Sequence, residues 1–373
     1  MATRILVIGQ RPPPVHGSNV MTELFMQALS ANGYDATIVE KTFSHNLNDV
    51  GKVSIKKALK IPDLCRRVVA AIEDFKPDCC VYFISIGLRS LLVDCLVIRF
   101  IIKHNIPYIL YFHGMGLRNY ENNRYFPVRN IIRETLSNAL GGLVLGERLK
   151  HDVNQCIPNN RLYVLPNCIP QTCAVQNSLS RKDDSYVRVI FLSNLIPTKG
   201  PMNFLMMAKF VSKQEPRARF SMAGSHASES YLNELKQFVG KEGLEHCVEF
   251  LGPVYGNEKD QLFSKADLFV FPTYFPKEAF GLVNLEAMHY GIPVISSNVG
   301  AIPDVIQDGV NGYIVDPKNI DEIANKVLNL IRDPSLRERL GRNGKKLFEQ
   351  NYSLNAYNRN LRQAIDYLIY TKT

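Results

Sequence analysis

Two glutamates eight residues apart, Glu278 and Glu286, flank Gly281 in the segment PTYFPKEAFGLVNLEAMHYGIPVISS. Carboxylates accept hydrogen bonds from neighbouring hydroxyls of a sugar or a ribose. A helix beginning near Gly281 would add unpaired backbone amides and the positive end of its dipole, both of which attract phosphate. If the whole stretch is helical, eight residues leave the carboxylates roughly 80° apart around the axis and roughly 12 Å apart along it. One elongated ligand, a diphosphate between two polyols, then fits the pattern of a nucleotide-diphosphate sugar. The same spacing also arises on solvated helix faces, so it gains meaning only from the elements around it.

Those elements read as two rounds of strand and helix. In the N-terminal half the apolar runs RILVIG, ATIVE, CCVYFIS, YILYFHG, GLVLG and RLYVLPN alternate with amphipathic stretches at about 18–32, 55–75, 88–104 and 127–140. Continuous apolar character marks strands covered by helices on both faces of a parallel sheet. A polar, aperiodic stretch at 171–186 reads as a linker, and from Val187 the rhythm restarts with VRVIFLS, RARFSMAG, HCVEFLG, ADLFVFP, IPVISS and NGYIVD. The expected fold is α/β with two Rossmann-like parallel-sheet domains, residues 1–170 and 187–352. A last helix within 353–373 is a candidate to cross back to the first domain. A ligand is expected between the halves, outside the carboxyl ends of both sheets.

The chain has 373 residues, more than one hydrophobic core usually holds, and a formal net charge of +9. Residues 1–170 hold 20 Lys/Arg against 13 Asp/Glu, a balance of +7, whereas 171–373 hold 24 against 22. A basic half points to an anionic membrane face or a phosphorylated acceptor as partner. The stretch from Lys52 to Arg67 mixes cations with apolar residues as an interfacial helix does, although a solvated face has the same composition. Nucleic acid is not an expected partner, because no interleaved aromatics or recognised module accompanies the charge.

The opening MATRILVIGQ lacks the build of a signal peptide. The apolar run Leu91–Ile102 is too short to span a bilayer and carries Asp94 and Arg99. Eight cysteines form neither a C-x-x-C pair nor a zinc-ligand spacing. The expectation is a cytoplasmic protein, with peripheral association at the inner face of an anionic membrane as a candidate, and no metal.

Set among these elements, the glutamate segment closely resembles the retaining GT-B glycosyltransferases of family 4. Their hallmark Glu-x7-Glu lies in a longer E-x-F-G-L-x-x-x-E-A-M-x-x-G-x-P-V-I pattern, matched here by Glu278, Phe280, Gly281, Leu282, Glu286, Met288, Gly291, Pro293 and Ile295. DGVNGYIVDP, from Asp308 to Pro317, continues the likeness. The resemblance implies a GT-B fold, two Rossmann-like domains facing across a cleft. It also implies a nucleotide-sugar donor held mainly by the C-terminal half, a saccharide or lipid-linked acceptor presented by the N-terminal half, and no cofactor.

Residue by residue, the resemblance assigns Glu278 to the transferred sugar, Glu286 to the ribose, and Lys199 with the amides near Gly281 to the leaving diphosphate. Lys199 and Gly200 in FLSNLIPTKG match the end of a G-R-x-x-x-x-K-G-like motif, but Asn194 stands where the family has arginine. One fixed cation and its bidentate contact are therefore missing. Lys277, Arg188 or backbone amides are the substitutes within the sequence. Gly17 and Ser18, after the first strand, match a glycine-rich loop between donor phosphates and acceptor, and neighbouring His16 reads as a loop residue. His113, ending YILYFHG, stands where the family has a histidine facing the donor sugar. Gly252 and Val254 fall where it contacts the base, and Asn167 reads as a hinge or packing residue.

The implied reaction makes the anomeric carbon oxocarbenium-like while negative charge builds on the diphosphate, so stabilising that charge is the main catalytic task. Glu278, His113 and Lys199 are the candidate catalytic residues. Family members retain configuration, generally without a bound metal, and the sequence has no D-x-D clamp. The basic, partly apolar N-terminal half suggests assembly of surface polysaccharide or lipopolysaccharide. Two alternatives remain: a catalytically silent sugar-nucleotide binding module, which Asn194 favours, and an epimerase- or phosphorylase-like enzyme on a similar frame.

Overall fold

The computed structural model describes residues 2–12, 17–41, 55–121, 126–170 and 185–370. Most of the segment read as a linker, together with His16, Lys52 and Cys173, lies outside the described residues, as do the side chains of Ser18, Lys56 and Lys57. The chain divides into two compact units, Met1–Asn167 with Asn355–Thr373, and Cys168–Leu354.

The first unit is built on a parallel sheet of β1 (Arg4–Gly9), β2 (Asp35–Glu40), β3 (Cys79–Ile84), β4 (Tyr108–Phe112), β5 (Gly141–Val144) and β6 (Leu162–Val164), in the order β2-β1-β3-β4-β5-β6. Helices α1 (Gly17–Ala31), α2 (Ile55–Phe75), α3 (Leu88–Lys103), α4 (Arg118–Glu121) and α5 (Phe126–Ser137) make the crossovers. Central strands β3 and β4 are buried at every position, because helices cover both faces, whereas β2 at the edge is only partly buried. Their unbroken apolar runs are the sequence trace of that burial.

The second unit repeats the plan with β7 (Val187–Leu192), β8 (Ala218–Ala223), β9 (Val248–Gly252), β10 (Leu268–Phe271), β11 (Val294–Ser297) and β12 (Gly312–Val315). Their order is β12-β11-β10-β7-β8-β9. The chain winds outward from β7 in one direction and, from β10, in the other, so β7 and β10 form the topological switch point. Its helices are α6 (Pro201–Gln214), α7 (Glu229–Lys241), α8 (Gly256–Lys265), α9 (Leu282–His289), α10 (Ile302–Val305), α11 (Ile320–Arg332) and α12 (Pro334–Asn351).

The final helix, α13 (Leu354–Tyr370), counts almost wholly with the first unit. Asp366 accepts a hydrogen bond from the Tyr34 hydroxyl at 2.8 Å, the Asn358 carbonyl accepts one from Asn32 at 2.9 Å, and Tyr357 meets Tyr111 hydroxyl to hydroxyl at 3.3 Å.

The first sheet also encloses a buried ion pair. Lys41, just past β2, lies 3.1 Å from Asp94 of α3, and Asp94 further accepts from the Tyr82 hydroxyl at 2.8 Å and the Ser85 amide at 2.6 Å. Every oxygen of the carboxylate is thus satisfied, which a charge this far from water requires. Replacing Lys41 with Met strands the carboxylate and is expected to cost about 3 kcal/mol of stability. Urea unfolding followed by far-UV circular dichroism measures it; a loss under about 0.5 kcal/mol would mean that the pair is not structural.

Candidate functional site

At the switch point of the second sheet, the loop leaving β7 runs beside the loop leaving β10. The Tyr274 amide donates to the Thr198 carbonyl at 2.8 Å, and the Thr273 hydroxyl reaches the same carbonyl at 3.4 Å. Gly200 permits this approach. Its φ is +83°, and a Cβ there would come within 2.2 Å of the Pro272 carbonyl oxygen. Lys199 is thereby fixed beside the second loop, and its Nζ forms an ion pair with Glu278 Oε2. Nζ also lies 4.8 Å from the Phe275 ring centroid and 5.6 Å from that of Phe271. With side chains only 16% and 12% exposed, the lysine and glutamate sit where Coulomb attraction is weakly screened.

The two glutamates do not share a helix. α9 begins at Leu282, its N-cap Gly281 has φ +71°, and Glu278 lies three residues earlier in a turn whose amide bonds the Phe275 carbonyl at 2.9 Å. The left-handed step at Gly281 separates turn from helix, so the spacing expected for a continuous helix does not apply. The helix start itself is where the sequence put it. Leu282 and Val283 have no preceding turn to receive their amide protons. Beneath them, Asn284 is fully buried, and both polar atoms of its side chain lack hydrogen-bond partners among the described residues. Phe280, also buried, packs edge-on against Tyr352 with centroids 6.2 Å apart.

Glu286, on α9, meets a cation that sequence reasoning missed. Lys259 of α8 donates to Glu286 Oε1 at 2.7 Å. Burial pushes the Glu286 carboxyl above the usual range, and Lys259 opposes that rise. Asp260, next to Lys259, accepts from the Tyr290 hydroxyl at 2.8 Å and so ties α8 to the far end of α9. Gly252, which ends β9, has φ +71°, and Val254 in the loop entering α8 is half-buried. Lys259 is 27 positions from Glu286, and no periodicity joins them.

No cation replaces the missing arginine at its own position. Asn194 Oδ1 accepts a hydrogen bond from the Ser225 hydroxyl at 2.8 Å, and the Leu195 amide donates to the Ser225 carbonyl at 2.7 Å. The loops after β7 and β8 are held together instead. Arg188 cannot substitute: it lies at the amino end of β7, about 20 Å of extended chain from Asn194. Lys277 is exposed in the turn preceding Glu278.

In the first unit, Gly17 and Ser18 open α1, and His113 directly follows β4. The His113 ring stacks on Phe83 at 5.2 Å and leans on Tyr111 at 4.1 Å. Although the residue keeps some exposed surface, its Nε2 is sealed from solvent and has no partner among the described residues. Burial lowers its pKa from 6.5 to about 3, so the ring is neutral near pH 7. The loop beyond it is anchored by Asp152, whose carboxylate accepts from the amides of Gly116, Leu117 and Arg118 at 2.8, 3.0 and 3.2 Å. Asn167 is buried with Oδ1 unpartnered among the described residues.

Two six-stranded parallel sheets flanked by helices, in one chain, define a GT-B fold. Residues 176–347 match the model of the family described as glycosyl transferases group 1, and these residues lie in the second unit. An uncharacterized glycosyltransferase of Methanocaldococcus jannaschii is 35% identical over 48% of this chain and 44% of its own length. A capsular polysaccharide biosynthesis glycosyltransferase of Staphylococcus aureus is 25% identical over 64% of this chain and 65% of its own. The chain thus spans between about half and two thirds of these curated relatives. The structure of the Anabaena protein HepE in complex with UDP-glucose superposes with a TM-score of 0.71, at 17% identity, covering 97% of this chain and 99% of that one. These matches show similarity to glycosyltransferases, and the match to the family model falls within residues 176–347.

The buried neutral histidine has a measurable signature. An unfolded histidine takes up a proton below about pH 6.5, but folded His113 does not until about pH 3. The stability it contributes is therefore complete above the unfolded value and falls as pH drops from 6.5 towards 3. Unfolding of the wild type and His113→Asn, compared from about pH 7 to about pH 4, is expected to give a shallower pH dependence for the variant. Equal slopes would contradict the burial of this ring.

Proposed function

We propose that the protein is a glycosyltransferase that moves a sugar from a nucleotide-diphosphate sugar onto a saccharide or lipid-linked acceptor. The observation carrying this reading is the pairing of Lys199 with Glu278 at the switch point of the second sheet, four residues before the amide-bearing start of α9 at Leu282. Such a cluster offers a cation and amides to a diphosphate, and a carboxylate to an adjoining sugar. The UDP-glucose bound to the Anabaena protein supports a nucleotide-sugar donor.

In this reading Lys199 and the amides of Leu282 and Val283 stabilise the charge that grows on the leaving diphosphate. Glu286, held by Lys259, accepts from ribose hydroxyls. His113 interacts with the sugar as a neutral hydrogen-bonding group, since burial denies it a positive charge. Attack occurs on the face that the diphosphate leaves, with retention of configuration. We propose that no metal is needed, because the lysine and the helix start supply the positive charge that a metal–carboxylate clamp would supply.

For the acceptor, the basic N-terminal half and the capsular polysaccharide relative support a lipid-linked saccharide in surface polysaccharide assembly, received at an anionic membrane. Among the described residues no helix is long and apolar enough to cross a membrane, so contact would be peripheral. Co-sedimentation with phosphatidylglycerol vesicles at low salt is expected, and its loss when Lys56, Lys57 and Lys60 are neutralised; no binding would remove the membrane from the proposal.

Asn194 keeps the silent binding module as a second reading, and turnover separates the two. A thermal-shift screen of UDP, GDP and ADP sugars is expected to raise the melting temperature with one nucleotide class. With that donor, Lys199→Met is expected to lower the transfer rate by about 100- to 1000-fold. Donor binding without any transfer or donor hydrolysis would favour the silent module, and no stabilisation by any nucleotide sugar would sink the donor site.

A further inference from the structure

The pair Lys199–Glu278 joins two side chains that the proposed function assigns to different parts of one ligand, the lysine to the diphosphate and the glutamate to the sugar. In the structure each serves as the counter-ion of the other, and both are largely out of water. A diphosphate that captures Lys199 therefore strips the cation from a mostly buried carboxylate. Leaving that charge uncompensated is unfavourable. A complete nucleotide sugar offsets the loss, because sugar hydroxyls donate to the vacated carboxylate. A free nucleoside diphosphate has nothing to offer it.

The exchange is confined to side chains. The Thr198 carbonyl is bonded to Tyr274, and the Ala301 amide donates to the Ala279 carbonyl at 2.8 Å, so the backbone on both sides of the pair is pinned. The loop before α10 also presses on this turn: a Cβ at Gly300 would come within 2.2 Å of the Glu278 carbonyl oxygen. Lysine, with four rotatable bonds, can move where the backbone cannot, and the Phe275 and Phe271 rings near Nζ give it a favourable surface as it does.

Resting on the donor site proposed above, we infer that Glu278 is a specificity-determining residue that discriminates a nucleotide sugar from the nucleoside diphosphate left after transfer, by holding Lys199 whenever no sugar is present. While the sugar is attached, the glutamate is occupied and the lysine stays on the diphosphate. Once the sugar has gone, the glutamate reclaims the lysine and the product loses its cation. The same carboxylate thus favours substrate retention before transfer and product release after it.

Isothermal titration of UDP and UDP-glucose into the wild type, Glu278→Gln, Lys199→Met and the double variant tests this. GDP or ADP and their sugars serve instead if the base proves different. Glu278→Gln is expected to bind UDP about three- to fivefold more tightly than the wild type, the scale of one ion pair. UDP-glucose is expected to bind it no more tightly, so the preference for the sugar nucleotide shrinks. In the Lys199→Met background the glutamate substitution should leave UDP affinity unchanged within about twofold, since no lysine remains to be released. Glu278→Ala gives an independent reading should the glutamine variant fold poorly. Equal or weaker UDP binding by both glutamate variants, with Lys199→Met still weakening the wild type, overturns this inference alone. A wild type that binds none of the nucleotides overturns the donor site and the inference with it.

Discussion

A parallel sheet whose strand order reverses leaves two neighbouring loops with no crossover laid over them. In the second unit that reversal lies between β7 and β10, and Lys199, Glu278 and Gly281 all follow these two strands. Lys199 follows β7, Glu278 and Gly281 follow β10, and carbonyl–amide bonds hold the two loops at a fixed separation. Because both loops start from adjacent strands, residues 79 positions apart come into ion-pair contact without any long or flexible connection. Strand pairing thus determines the chemistry that can be assembled there, and the side chains act within a frame already made.

Within that frame the charges are compensated locally. Glu278 answers Lys199, Glu286 answers Lys259, and in the first unit Asp94 answers Lys41. The three pairs differ in what else surrounds them. Asp94 has a tyrosine hydroxyl and a backbone amide in addition to its lysine, so it resembles a structural pair with no capacity to spare. The Lys199–Glu278 pair belongs instead to the turn that precedes α9, whose first amides have no preceding turn to bond. His113 follows the opposite rule, since burial without an acid leaves it uncharged.

The arginine position illustrates how a departure from a familiar pattern can be absorbed. Asn194 does not restore the missing charge; it bonds Ser225 and stitches the loop after β7 to the loop after β8. The loop that carries Lys199 has a side-chain tie to its neighbour at this position in place of a cation. Of the substitutes weighed from the sequence, Arg188 fails because it lies at the wrong end of its strand, a fact of direction along β7 rather than of residue type.

The alternation of long apolar runs with amphipathic stretches determined two parallel α/β sheets, since strands buried on both faces have no choice but to be apolar throughout. The start of α9 was also legible, because a glycine before an apolar helical run has a local backbone meaning. Local rules end there. The angle and rise between the two glutamates held only if one helix ran through both, and the left-handed Gly281 removes that condition. Lys259 beside Glu286, Asp152 beneath the loop after His113 and the sealed Nε2 of that histidine had no trace in the sequence. Each depends on contacts between segments distant along the chain, and the order of strands, not the order of residues, decides which of those segments meet.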